Sequence, residues 1–360
     1  MRTLIPSIAL VALTCSHLCG ADAPRPNIVY FLVDDLGRAD VGFNGSKDVR
    51  TPNIDRLAKE GAVLDSYYVQ PVCSPTRAAL MTGRYSTHTG VYKVIQPGSP
   101  WGMPLAERTL PQALRDAGYT TALTGKWHLG AFQPEYMPTK RGFEHQYGHM
   151  FGAIDYFTHR RGGQLDWYRN DQPLKETGYS THLISREAQR LIRQQPAGKP
   201  LFLYVAFNGV HSPHQVPEQY TKAYGNLHGV RRKVAGMISA VDEAIGQIVA
   251  ALEEKRQNTL IIFSSDNGGP RPGKVAMNTP LRAGKGTIYE GGMRVCATAT
   301  WPEKISAGAV IKEPMHVIDW YPTLLKLGGA SLEQKLPVDG LDVWPMLTSG
   351  AKTPHDAILL

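Results

Sequence analysis

Ile28 to Val33 is an unbroken apolar run that ends abruptly in Asp34-Asp35, and the pattern returns twice further along the chain. Leu201 to Phe207 runs into Asn208-Gly209-Val210-His211, and Leu260 to Ser264 leads to Asp266-Asn267. Continuous apolar runs of this length read as strands buried on both faces, the condition of a parallel sheet covered by helices. The segments between them supply the helices. Thr51-Pro52 opens one, with Ile54, Leu57 and Ala58 on one face and Gly61 as the stop. Thr109-Leu110-Pro111 opens a second, which ends at Gly118 and feeds a strand from Thr120 to Thr124. From about Val230 to Glu254, the residues Val234, Met237, Ile238, Val241, Ile245, Ile248, Val249 and Leu252 follow one helical stripe. A shorter helix is expected over Asp319 to Leu327, before Gly328-Gly329. Buried strands alternating with amphipathic helices predict an α/β layered fold with a large, mostly parallel sheet.

Open sheets of this kind bind ligands beyond the carboxyl ends of their strands. The polar groups there are Asp34, Asp35, Asp266 and Asn267, an all-oxygen set suited to a hard cation such as calcium or magnesium. Either pair alone reads as a turn or cap. Adjacent carboxylates repel, and a cation offsets them. Gly125-Lys126-Trp127-His128 follows the Thr120 strand, His211 follows the Leu201 strand, and Lys285 lies in Arg282-Ala283-Gly284-Lys285-Gly286. Singly these are surface lysines and structural histidines; their recurrence at strand ends and glycine-rich turns predicts an anion pocket. His88, His145, His149, His182 and His214 show no metal-ligand spacing and read as structural or exposed.

A formal charge of +8 suits an anionic substrate. Nucleic acid is not expected, because the basic residues are dispersed and the one short cluster, Arg231-Arg232-Lys233, reads as a solvated helix face. Met1-Arg2, the apolar stretch Leu4 to Leu13 and small residues at Gly20-Ala21 read as a signal peptide over residues 1–21. That stretch is too short to span a bilayer, and no later one reads as long or apolar enough, so no stable membrane insertion is expected. Removal of this segment takes Cys15 and Cys19 and leaves Cys73 and Cys296. An exported chain without disulfides points to a bacterial periplasm or to secretion.

Cys73-Ser74-Pro75-Thr76-Arg77 continues into Leu80-Met81-Thr82-Gly83-Arg84. Pro75 suits the first turn of a helix, which places Cys73 at a helix N-terminus, where free amides attract an anion; Arg77 and Arg84 add positive charge. Cys73 taken alone would be a buried, inert cysteine. The whole string resembles the C-x-P-x-R signature of type I sulfatases with its L-x-T-G-R tail. Leu32-Val33-Asp34-Asp35-Leu36-Gly37, Gly125-Lys126-Trp127-His128-Leu129-Gly130 and Ser265-Asp266-Asn267-Gly268-Gly269 are similar to further elements of that family. So is the stretch from Pro280-Leu281-Arg282 through Lys285 to Glu290-Gly291-Gly292. Val210 to Pro217 and Asp339 to Trp344 are similar to the branch that holds arylsulfatase B, an N-acetylgalactosamine-4-sulfatase. The resemblance runs from about Pro26 to the last residues.

It implies an alkaline-phosphatase-like fold, a large mostly parallel sheet sandwiched between helices, and hydrolysis of sulfate esters on a sugar hydroxyl of a sulfated glycan. It further implies that Cys73 is oxidised to formylglycine (3-oxoalanine) by a formylglycine-generating enzyme. Asp34, Asp35, Asp266, Asn267 and the modified Cys73 would hold Ca2+. One hydroxyl of the aldehyde hydrate would attack sulfur, and loss of the other's proton would then release sulfate. Arg77 and His128 would orient the hydrate, Lys126 and Lys285 would balance charge on the sulfuryl oxygens, and His211 would protonate the leaving alcohol. Residues 26–345 would form the catalytic domain. Residues 346–360 would begin a C-terminal subdomain that is otherwise missing, with Ala357 to Leu360 as the start of a strand. Two rivals stand beside this reading. A phosphatase or phosphodiesterase on the same scaffold would use Ser or Thr and two transition metals held by extra histidines, which have no ligand spacing here. A non-catalytic glycan-binding relic is the other. Gly-x-Ser-x-Gly, HExxH and a phosphate-cradling loop are absent.

Overall fold

The computed structural model describes residues 24–360, so the expected signal peptide lies outside the described residues. Five strands form the parallel centre of a ten-stranded sheet, in the spatial order Thr259–Ser265, Asn27–Val33, Leu201–Phe207, Thr120–Lys126 and His145–His149. Beyond Thr259–Ser265 the sheet continues with Ala297–Thr300, Ala62–Leu64 and Ala309–Ile311. Beyond His145–His149 it ends in the two-residue strands Tyr168–Arg169 and Gln172–Pro173. Val33 lies level with both Phe207 and Ser265, and Ala206 with Gly125. This register brings Asp34, Asn208, Asp266 and Lys126 to one edge.

The strand Asn27–Val33 shows why the apolar runs are continuous. Ile28, Tyr30 and Leu32 enter a core shared with the helices Cys73–Thr82, Leu110–Asp116 and Trp320–Leu327. Val29, Phe31 and Val33 enter a second core under Pro52–Glu60, Ser180–Gln194 and Gly229–Leu252. Each such side chain contributes roughly 1.5–3 kcal/mol by leaving water, so a polar residue on either face would be costly. Gly125 is a tight crossing at the site edge: its φ is 110°, and a Cβ there would stand 1.9 Å from the carbonyl oxygen of Ala206.

Thr109 caps its helix through a reciprocal pair of bonds with Gln112, as its position suggests. Thr51 does not cap Pro52–Glu60. The N–H groups of Asn53 and Ile54 donate instead to Asp242, a buried carboxylate on the long helix, at 3.0 and 2.8 Å. Gly229–Leu252 contradicts the expectation that no later stretch could pass for a membrane span. It is long and apolar enough, but 78% of its most apolar window is buried inside the fold, as suits a core helix. Arg231 is not on a solvated face either. It reaches Asp40 and Asp48, both at 2.7 Å.

Trp344–Ser349 is a helix whose Met346 and Leu347 join the first core. Ala357 to Leu360 form no strand, and the Leu359 N–H donates to the Tyr85 hydroxyl at 3.2 Å.

His316 sits fully buried under this C-terminal stretch, with the Gln70 amide 3.1 Å from Nε2 and the Ile318 N–H reaching Nδ1 at 3.4 Å. Burial, and then the nearby His355, push its pKa down from 6.5 to about 3. The unfolded chain therefore binds a proton that the folded chain refuses between these values. Stability contributed by the neutral ring is full above about pH 7 and falls as pH drops from 6.5 toward 3. Denaturant midpoints measured between pH 7 and pH 4 are expected to fall more steeply for the parent than for His316→Gln.

Candidate active site

Cys73 is the first residue of the helix Cys73–Thr82, with Pro75 in its first turn, and all ten residues are buried. Val72 gives no side-chain cap, so the first amides of the helix have no capping side chain. Its far end is clamped by the N–H groups of Asp339 and Gly340, which donate to Gly83 O at 2.9 and 3.0 Å. That is the part played by Asp339 and its neighbours. Arg84 lies at this far end, in an ion pair with Glu107, and adds no charge near Cys73.

The thiol of Cys73 donates to Asp34 Oδ1 at 3.6 Å, and Asp34 Oδ2 receives Lys126 Nζ at 2.5 Å; Asp34 and Lys126 are fully buried. Burial works to raise the Asp34 carboxyl, but Lys126, His211 and Arg77 outweigh it and hold it below the usual range. Burial pushes the Cys73 thiol up to about 12, with Lys126 opposing and Asp34 adding to the rise. Arg77, also fully buried, donates to Asp266 Oδ2 from Nη2 at 2.7 Å and from Nε at 3.2 Å, and to Lys126 O from Nη1 at 3.1 Å. Asp266 Oδ1 accepts the Asp35 N–H at 3.2 Å.

Asp35 faces the open side. Lys285 Nζ is 2.6 Å from its Oδ1 and His211 Nε2 is 3.7 Å from its Oδ2. Lys285 is only 19% exposed, so it is not a solvated lysine; burial works to lower its pKa, but Cys73 and the surrounding carboxylates raise it overall. Asn267 donates its amide to Asp35 Oδ1 at 2.8 Å and to Gly268 O, leaving its buried Oδ1 without a hydrogen-bond partner. The thiol of Cys73, one oxygen each of Asp34 and Asp35, and a His211 nitrogen lie within 4.8 Å of one another, a cluster able to hold a metal ion. Of the expected ligand carboxylates, Asp34 and Asp35 are in this cluster, whereas Asp266 lies outside it with Oδ2 held by Arg77, and His211 joins it unexpectedly. The two carboxylates and the orphaned Asn267 oxygen are donors that suit a hard cation.

His128 and Asp35 occupy left-handed backbone, with φ 61° and 64°. Each such residue costs of order 1–3 kcal/mol, strain that clusters where side chains are aimed for function. His128 Nε2–H donates to Ile95 O at 3.0 Å, while Nδ1 is buried without a partner. Burial, then Lys126 and Arg77, push its pKa well down, so the ring is neutral and Nδ1 is a bare acceptor.

All the expected residues therefore converge on one edge. Several supporting groups have no signature in the chain. Asn278 bonds Gly269 and the Ala283 carbonyl and so positions the turn that carries Lys285. The Tyr156 hydroxyl spans Asn208 O and His211 O at 2.6 and 2.7 Å. His149 lies in register with Lys126 and is fully buried. A Cβ on Gly152 would meet His128 Cε1 at 2.6 Å and Arg161 Nη1 at 3.4 Å, so glycine leaves the space between them open. His214, with Asp35, His211, Arg271 and Lys285, lines a cleft of about 290 Å³ at the mouth. Larger clefts occur elsewhere, one of them at the opposite sheet edge, around Asn27, Pro200 and Asn258.

A family model described as Sulfatase matches residues 26–330. Arylsulfatase J of Mus musculus is 40% identical over 351 residues, a match that takes in 94% of this chain and 58% of that protein. N-acetylgalactosamine-6-sulfatase of Homo sapiens is 33% identical, over 92% of this chain and 67% of that protein. Among solved structures, Ps i-CgsB in complex with k-i-k-neocarrahexaose superposes with a TM-score of 0.86 at 39% identity, covering 91% of this chain and 77% of that one. The PsFucS1 sulfatase from Pseudoalteromonas sp. does so with a TM-score of 0.77 at 32% identity, covering 90% and 72%.

Proposed function

Because the chain belongs to the sulfatase family and carries the alkaline-phosphatase-like sheet with this site at its edge, we propose that it hydrolyses sulfate esters on a sugar hydroxyl of a sulfated glycan. The observation that carries this reading is Cys73 at the uncapped start of a buried helix, 3.6 Å from a carboxylate that Lys126 already neutralises. We further infer that Cys73 is converted to formylglycine by a formylglycine-generating enzyme, and that Asp34, Asp35, Asp266 and Asn267 hold one calcium ion. Bound there, calcium would supply positive charge and Lewis-acid polarisation of a sulfuryl oxygen.

The remaining work falls to the chain. Lys126 and Lys285 stand on either side of the Asp34-Asp35 pair and offset negative charge on the sulfuryl group as the ester bond breaks, where fixed charges count most. The free amides at the helix start add to that field. Arg77, immobilised by Asp266, keeps the first turn in place. Neutral His128 offers Nδ1 as an acceptor for a hydroxyl at position 73. His211, 20% exposed on the cleft wall with Nδ1 held 2.6 Å from Ser212 O, is the group suited to pass a proton to the leaving alcohol.

A sugar substrate is supported by Ps i-CgsB, whose structure holds an oligosaccharide, and by the amino sugar in the name of N-acetylgalactosamine-6-sulfatase. The apolar Leu4 to Leu13 run behind Met1-Arg2 supports a periplasmic or secreted location. The peptide containing position 73, isolated from the natural host, is expected to have the mass of formylglycine, and the purified protein to contain one calcium. An unmodified cysteine, or paired zinc with turnover of phosphate esters, would overturn the reading.

A further inference from the structure

Away from the reacting centre, the helix Ser180–Gln194 carries Arg186, Arg190 and Arg193 on one face, four and then three residues apart. Arg169, on the strand Tyr168–Arg169 next to the sheet edge, faces them across a cleft of about 540 Å³ whose lining is completed by Glu187 and Gln194. Glu187 is the one carboxylate in that lining, and it is already shared. Arg169 and Arg190 both reach its Oε1 at 2.6 Å, and His145 Nε2 lies 2.8 Å from the same oxygen. Arg186, 69% exposed, pairs with Glu176 at 2.9 Å, and Arg193 donates to the neutral amide oxygen of Gln189 at 3.0 Å.

Four guanidinium groups line this concave surface against one carboxylate, Glu187, and a concave surface with an excess of one sign draws counter-charge from outside. The forked geometry of arginine suits oxyanions that accept two N–H groups at once. The helix that carries the cleft starts beside the catalytic edge of the sheet. Ser180 Oγ, at the start of the helix, lies 3.2 Å from Asn208 Oδ1 at the catalytic edge of the sheet. A rise of 1.5 Å per residue sets Arg186 about 9 Å and Arg193 about 20 Å further along.

We propose that this cleft is a second site, which binds the sulfate groups of a polymeric glycan and holds the chain beyond the unit being hydrolysed. The proposal rests on the sulfated-glycan reading above. Single-stranded nucleic acid is the less suitable polyanion, since no aromatic side chain is among the lining residues to stack a base.

Binding of dextran sulfate, unsulfated dextran and a single-stranded oligonucleotide to the full chain tests this, alongside turnover of a small aryl sulfate. Arg186→Gln/Arg193→Gln should weaken dextran sulfate binding about tenfold and flatten its salt dependence by about two counterions. Aryl sulfate turnover should not change, and Arg186→Lys/Arg193→Lys should restore most of the affinity. Dextran should not bind. Unchanged dextran sulfate affinity in the glutamine variant would overturn the proposal, and so would equal affinity for the oligonucleotide. Arginine-dependent binding without aryl sulfate turnover would instead count against the catalytic reading and leave the second site standing.

Discussion

Cys73→Ala is expected to lower sulfate ester turnover by about 10⁴-fold or more, the scale on which removal of a nucleophile acts, with little change in stability. The thiol makes one weak contact, to an oxygen of Asp34 whose other oxygen keeps Lys126. Loss of one sulfur atom from a well-packed position costs on the order of 1 kcal/mol. Cys296→Ala is the control. Cys296 is equally buried and its thiol is also pushed up to about 12, but it reaches a backbone carbonyl, Gly37 O at 4.0 Å, and is not part of the Asp34-Asp35 cluster. It should show a similar small loss of stability with activity intact. Turnover and denaturant midpoint measured on both variants decide the matter: equal loss of activity in the two would remove Cys73 from the centre of the chemistry.

The parts of the fold that could be read from the chain are those with two-sided burial or a full helical stripe. Ile28 to Val33 must be apolar at every position because successive side chains enter different cores. The long helix shows its stripe because only one side faces solvent. The outermost strands on each side, Ala62–Leu64, Ala309–Ile311, Tyr168–Arg169 and Gln172–Pro173, are two or three residues long, too short for any period to register. Site residues were legible where they follow such strands, since the parallel register brings every carboxyl end to one edge. What was not legible depends on contacts across long stretches of chain. Asp242 caps a helix 188 residues before it, and Asn278 braces the turn that carries Lys285. Arg84 shares a motif with Arg77 but lies at the opposite end of a helix, and spacing alone could not tell a site cation from one paired with Glu107.

Asp266→Ala is expected to lose both activity and a large part of the folding free energy, which separates it from its fellow carboxylates. Its Oδ2 takes two N–H groups from Arg77, and neither side chain reaches solvent. Removing it leaves a buried guanidinium with the Lys126 carbonyl as its one remaining acceptor, and breaking a buried pair in this way costs about 3–5 kcal/mol. A typical domain has only about 5–15 kcal/mol in reserve, so the denaturant midpoint should drop sharply and soluble yield with it. Asp35→Ala should abolish activity as completely but cost less stability, because its partner Lys285 is partly exposed and can turn to water. Asp266→Asn keeps one acceptor for Arg77 and should fall between the two in stability while remaining inactive. Equilibrium unfolding of the three variants, with bound calcium measured on each, gives the comparison. If Asp266→Ala proves as stable as Asp35→Ala, the Arg77 pair does not hold the helix start in the way the buried geometry requires.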